Sequence, residues 1–481
     1  MDNISKNIDV GYGPRGGSGA SAGVQEFVRE SEGRHPEMGE QLRSTSGWSA
    51  VGGTHITEPS QRPHILLAAT LRWPIAARLA LSFRSVGCHV EVVCPNGHPI
   101  GRLCEYVPSH RFSALRPLES LRTAIEAAEP NLIIPCDDGA ALCLHQLYKW
   151  MSARGEEKGL VGEIIEHSLG SPTACMLASA RGEMADLAKR EGLRVPESRV
   201  IASVTELDEW MSLHEYPLVL KSDNSWGGLG VRVVYTKNEA LSALCSLAAG
   251  PTLAKTLLRS SLDRDLSPFM QWLQHAPRVV TAQRFVAGMP ANRAVACWKG
   301  KVLAGISVEA VSTASPTGPA TVVRVMEHPE MSDTASRLVK RLGLSGLWGF
   351  DFMLGSSDRA AWLIEVNPRA TPICHLQLGE GRDLPAALCA QLIGRSVASP
   401  AATVQKDVIS LFPGEWRRDP ASHALRLVYH DVPWDEPGLV DEGIGLPWEE
   451  RGLLARIKRL LKPSRVRRLG RESYLALKNL S

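Results

Sequence analysis

Trp362–Ala370 reads WLIEVNPRA and sets a carboxylate, an amide and a guanidinium at alternate positions: Glu365, Asn367 and Arg369. In an extended chain these three side chains share one face, while Ile364 and Val366 point to the other. The second face is apolar and suits a core. The first gathers acid, amide and cation, which is costly unless something binds there; an exposed edge strand would carry the same residues without that meaning. The stretch just upstream supplies a partner. Asp351 lies in GFDFML, with Phe350 and Phe352 turned to the apolar side. A turn over 355–360 folds it back antiparallel, nearly opposite Glu365. Two carboxylates that close repel and call for a cation between them. The donors are all oxygen, with no His or Cys, which selects a hard ion, Mg²⁺ or Mn²⁺. Magnesium with few protein ligands takes its remaining positions from substrate phosphates and water. The hairpin reads as a magnesium–nucleotide site.

The rest of the chain sets the frame for that hairpin. Its 481 residues exceed one ordinary domain, and a hydrophobic content of 44% is enough for substantial cores. A net charge of +3 gives no excess that would argue for nucleic acid. The ten cysteines form no C-x-x-C pair and no zinc-like cluster with histidine. Their scatter fits reduced thiols and a cytoplasmic setting. The start MDNISKNIDV lacks the pattern of a secretory signal, and no apolar run reaches spanning length.

Residues 1–62, rich in Gly, Ser, Glu and Arg, read as a disordered leader. From 63 to 165, HILLAAT, HVEVVCP and NLIIPCDD are strand-like runs separated by helical stretches near 74–87 and 118–128. That alternation predicts a small parallel α/β domain. Asp137 and Asp138 fall at its strand C-termini, where such sheets bind ligands, but capping of the next helix accounts for both. A helix containing Met184, Leu187 and Ala188 stops at Gly192. The strands SRVIAS and YPLVLKS follow, then the helical stretch 236–276, strands over 278–311 and a helix over 331–343. Beyond 396 lies a Pro- and Trp-rich region ending in RGLLARIKRLLKPSRVRRLGRESYLALKNLS. Its apolar residues fall at helical spacing among Lys and Arg. This predicts an amphipathic helix that either docks on the protein or lies on an anionic partner.

A second constellation is KSDNSWGGLG, residues 221–230. Lys221 closes an apolar strand, and Gly227, Gly228 and Gly230 form a loop whose backbone N–H groups would face an anion. The loop is neither a Walker A motif, since no G-K-[ST] follows, nor a dinucleotide fingerprint, since a strand comes next. A structural Gly-rich hairpin would look the same.

Together these residues resemble the ATP-grasp superfamily, in particular the carboxylate–amine ligases and the ATP-binding lobes of carbamoyl phosphate synthetase and biotin carboxylase. The resemblance covers about 165–395. It implies an α/β and α+β architecture: a parallel pre-ATP-grasp domain (63–165), a two-lobed ATP-grasp fold (166–395, lid about 200–285) and a C-terminal extension (396–481). By the same resemblance Asp351, Glu365 and Asn367 match the metal ligands, Arg369 the cation steadying the transferred phosphate, and Lys221 the lysine on the α- and β-phosphates. Ser225, Gly227, Gly228 and Gly230 belong to the mobile loop over them. AQRFVAG matches the hinge, with backbone groups of Arg284, Phe285 and Val286 on the adenine edge and Gln283 where the family often has glutamate. Arg181 falls at a first phosphate-binding position, or on a solvated helix face.

The resemblance implies an ATP- and Mg²⁺-dependent ligase that joins a small-molecule carboxylate to an amine through an acyl phosphate. It names no nucleic-acid partner and is compatible with a homodimer. Arg324 is the candidate carboxylate anchor and His375 a candidate substrate contact; a plain strand arginine and a structural histidine are the alternatives. A phosphotransferase acting on a hydroxyl and a non-catalytic ATP-binding module remain open.

Overall fold

Three short apolar runs, each separated from the next by a helix, lie side by side. In the computed structural model β1 (His64–Ala68) pairs in parallel with β2 (His89–Cys94) and with β4 (Leu132–Pro135), and β3 (Ser109–Arg111) adds the edge. The structure describes residues 62–171, 177, 180–222, 230–249, 279–397 and 406–445, all within one compact unit, Thr57–Ser481. The expected leader and basic C-terminal helix lie outside the described residues. Helices α1 (Ile75–Ser85), α2 (Pro117–Ala128), α3 (Asp138–Ser152) and α4 (Leu160–Leu169) follow β1, β3, β4 and α3 in turn. No helix among the described residues is long and apolar enough to cross a membrane.

Asp137 explains how the strand end is held. Its side chain caps α3 by accepting from Ala140 N at 2.8 Å, as its position before a helix predicts. It also accepts from Thr70 N (2.7 Å), Thr70 Oγ1 (2.6 Å) and Leu71 N (2.9 Å), tying the end of β1 to the start of α3. Gly139 leaves room for this knot, since a Cβ there would lie 2.3 Å from Thr70 Oγ1. Asp137→Asn is expected to destabilise the fold by about 2 kcal/mol. An amide in place of one oxygen leaves two buried N–H donors facing a donor; urea unfolding followed by circular dichroism measures it.

A second, four-stranded sheet has the order β5–β8–β6–β7: β5 (Ser198–Ile201), β6 (Leu218–Ser222), β7 (Val231–Val234) and β8 (Val280–Arg284), all antiparallel. With α6 (Val204–Leu213) and α7 (Lys237–Ala249) it forms its own small core of Leu207, Trp210, Leu218, Leu220, Val280 and Ala282. Helix α5 (Arg181–Arg190) precedes it and stops before Gly192, whose φ is +70°.

The largest sheet has seven strands, ordered β13–β12–β9–β10–β11–β14–β15. They are β9 (Gly288–Trp298), β10 (Lys301–Thr313), β11 (Ala320–Met326), β12 (Gly346–Gly355), β13 (Ala361–Asn367), β14 (Val408–Leu411) and β15 (Tyr429–Asp431). Its last two strands come from the region beyond 396, so that part of the chain completes this sheet. On one face Trp348, Phe350, Phe352 and Val366 are buried. Against them packs α8 (Pro329–Leu342), whose buried residues Met331, Ala335, Leu338, Val339 and Leu342 recur at helical spacing. Each large side chain buried there contributes roughly 1.5–3 kcal/mol. The other face, through Ala294, Ala296, Ile306 and Leu347, packs with α1 and α9 (Leu384–Ile393).

Candidate functional site

The hairpin forms as its pattern predicts. Asp351 is the register partner of Glu365, and Gly349 of Asn367. One detail differs: the register shifts between Asp351 and Phe352, so that Ile364 is skipped in the ladder and Leu363 pairs with Phe352. The bulge puts Leu363, rather than Ile364, in the apolar layer with Val366.

Asp351 is held from two sides. Asn292 Nδ2, on the neighbouring strand β9, donates to its Oδ1 at 2.6 Å, and Asn367 Nδ2 donates to its Oδ2 at 2.8 Å. Burial pushes the Asp351 carboxyl above the usual carboxylate range and the Glu365 charge adds to the shift; the two amides and Arg369 oppose it. Asn367 in turn accepts from Arg369 Nη2 at 3.4 Å. Arg369 Nε donates to Asp138 Oδ1 at 2.8 Å, and its guanidinium lies 5.9 Å from the Trp73 ring centroid. The aspartate pair of α3 therefore divides: Asp137 is the cap, whereas Asp138 is not part of the cap and fixes Arg369.

Across from β13, parity sorts the small sheet in the same way. Leu218, Leu220, Val280 and Ala282 face the lobe's own core. Lys221, Thr281, Gln283 and Ser198 alternate with them and line a cleft. The cleft has an empty volume of about 520 Å³, and its other walls are Met184 and Ala185 of α5, Val195, Pro196 and the β13 residues Leu363 to Val366. Lys221 is buried, 8% exposed, and shares the cleft with Glu365. A carboxylate, a cation and an apolar slot thus meet between two sheets.

Several expected site residues need correction or restriction. Arg324 does not share the face of Asp351. The register runs Asp351–Asn292–Val308–Val325 across four strands, and one residue along it runs Phe352–Ala291–Glu309–Arg324. Arg324 therefore projects with the phenylalanines, where its Nη1 donates to Glu309 Oε1 at 2.9 Å. His375 is buried, with Nε2 2.7 Å from Asp431 Oδ2, and Asp431 also pairs with Arg78. At the hinge, Arg284 N donates to Glu197 O at 2.8 Å, so that its amide serves the β5–β8 edge. Phe285 and Val286 follow directly. Arg181 opens α5, and its side chain lies outside the described residues, as do Ser225, Gly227 and Gly228. Gly230 O accepts from Ser222 N at 2.9 Å and closes the loop's base.

Two residues at the site were not assigned to it from the sequence: Asn292, and Asp138, which read as a helix cap. Asn292 carried a weak signal, as one of two adjacent polar residues, with Arg293, that open the strand run ANRAVACW.

Residues 265–372 match a family model described as an ATP-grasp domain. The chain is 23% identical over 286 residues to the carbamoyl phosphate synthase arginine-specific large chain of Arabidopsis thaliana, covering 58% of this chain and 22% of that one. It thus spans about a fifth of that relative. A carboxyaminoimidazole ribonucleotide synthase from Aspergillus clavatus, complexed with ATP, superimposes with a TM-score of 0.52 at 14% identity, covering 71% of this chain and 79% of the other. The biotin carboxylase domain of the Hydrogenobacter thermophilus 2-oxoglutarate carboxylase, complexed with MgADP, gives 0.50 at 13% identity over 69% and 70%. At these identities the likeness establishes the fold.

Proposed function

Taking the chain as an ATP-grasp protein, we propose that it is an ATP- and Mg²⁺-dependent ligase that joins a carboxylate to an amine through an acyl phosphate and releases ADP and phosphate. The observation that carries this reading is the pairing of Asp351 with Glu365 beside a cleft lined by Lys221. Two adjacent carboxylates, one with its charge disfavoured, fit a divalent cation. Their oxygen chemistry, with Asn367 as third donor, fits Mg²⁺ or Mn²⁺. When bound, such an ion neutralises charge on the nucleotide phosphates.

The chain's own residues position and balance charge. Lys221 holds phosphate oxygens, the role that the resemblance also gives to Ser225, Gly227, Gly228, Gly230 and Arg181. The apolar slot of Met184, Val195 and Leu363 receives the base, edged by Gln283, Arg284, Phe285 and Val286. A substrate carboxylate oxygen bonds to the γ-phosphorus as the bond to ADP breaks. The amine then bonds to the carbonyl carbon, loses a proton, and phosphate departs. Arg369 balances the developing anion in both steps. The name of the Arabidopsis relative fits this chemistry, since carbamoyl phosphate is itself an acyl phosphate.

Hydroxylamine tests the proposal by intercepting acyl phosphates. Protein, Mg-ATP, pooled carboxylic acids and hydroxylamine are expected to yield hydroxamate in step with ADP, and none with Glu365→Gln. A stable phosphoester without free phosphate would make the protein a phosphotransferase. Mg-dependent ATP binding with no product from any acid pool would make it a binding module.

A further inference from the structure

The N-terminal ends of the parallel strands carry a second polar cluster, at the opposite ends from Asp137 and Asp138. His64 and His89 open β1 and β2 and are register partners. Glu91, two residues along β2, lies on the side of His89. His64 Nε2 and His89 Nε2 approach the same oxygen, Glu91 Oε1, at 3.4 and 3.3 Å. The donor atoms of the three residues all lie within 4.8 Å of one another. The other carboxylate oxygen, Oε2, is held by His110 Nε2 of β3 at 2.6 Å.

We infer that His64, His89 and Glu91 form a binding site for a zinc-type divalent cation, separate from the nucleotide cleft, with His110 orienting the carboxylate. Ligand atoms 2.0–2.1 Å from a tetrahedral zinc lie about 3.3 Å apart, and the two imidazole–carboxylate separations match that edge. Two imidazoles and one carboxylate suit zinc and disfavour magnesium. His64 Nε2 is buried and makes no hydrogen bond. That nitrogen is costly to leave unused, and a metal bond uses its lone pair. The hydrogen bond from His110 to the second oxygen is the outer contact that a ligating carboxylate ordinarily has. Three protein ligands leave the fourth position to water, and the ion pins the starts of β1 and β2 together.

The test uses the full chain without a histidine tag. Calorimetric titration with ZnCl₂ is expected to show one saturable site, and zinc is expected to raise the Tm. His89→Ala, at a half-exposed position that tolerates truncation, and Glu91→Gln are each expected to weaken zinc binding at least tenfold and to abolish the Tm shift. Cobalt is expected to give tetrahedral d–d absorption without thiolate charge-transfer bands. The inference is overturned by a titration with no saturable site, by zinc affinity unchanged in both variants, or by thiolate bands placing the metal on cysteine.

Discussion

Glu365→Gln is expected to lower Mg-ATP turnover by about 10³-fold while leaving the metal-free Tm unchanged or raised. The two effects have opposite signs because they come from the same charge. In the folded protein Glu365 stands opposite Asp351, and its charge is one reason the Asp351 carboxyl is displaced upward. Without a cation, removing it relieves repulsion at Asp351 while giving up its attraction to Arg369, and breaks neither hydrogen bond to Asp351, since those come from Asn292 and Asn367. With a cation the same oxygen is a ligand. Losing a group that balances transition-state charge in a closed site costs about 10²–10³-fold or more. Thermal unfolding with and without Mg-ATP separates the two: Mg-ATP should raise the Tm of the wild type and leave the variant almost unmoved. A variant that loses Tm in the absence of metal would mean that Glu365 is structural. Stability bought at the expense of activity is the behaviour expected where a fold holds like charges together for use.

The parts of the site that were legible are those with local causes. The hairpin β12–β13 joins residues only a turn apart, so alternation alone assigns Asp351, Glu365 and Asn367 to one face and Phe350 and Phe352 to the other. Even there the bulge at Ile364 was hidden, because an extra residue in a strand leaves no compositional mark. In the small sheet only β6 and β7 are neighbours along the chain, whereas β8 joins β5 and β6 from far downstream. Contacts made across long separations were illegible. Asn292 reaches Asp351 across 59 residues and Asp138 reaches Arg369 across 231, and no periodicity encodes such pairings. Arg324 shows the complementary failure: its face depends on register, and a shift of one residue reverses it. The pairing of β14 beside β11 likewise depends on which sheet edge remains open, which only the assembled sheet defines.

Asp138→Ala is expected to lower kcat about 10²-fold with little change in KM for ATP, and Arg369→Ala to lower it about 10³-fold. Arg369 is poorly exposed, with a side-chain exposure of 14%, and a cation so placed needs a fixed partner. Asp138 provides it through Nε, leaving Nη2 to reach Asn367 and the region where phosphate charge would develop. Removing Asp138 keeps the charge but frees its direction. The loss should therefore fall on the chemical step, where a misplacement of about 1 Å costs about 10²-fold, and spare nucleotide affinity, which rests on Lys221 and the apolar slot. Arg369→Lys is expected to restore little, since an ammonium cannot donate in two fixed directions at once. Asp138→Glu is expected to recover part of the rate, because a carboxylate on the half-buried start of α3 retains some reach to Nε. Steady-state kinetics of ADP release on this series checks the ordering. Equal losses in kcat/KM for ATP and in kcat for Asp138→Ala are expected, whereas a rise in KM with kcat intact would assign Asp138 and Arg369 to ground-state binding.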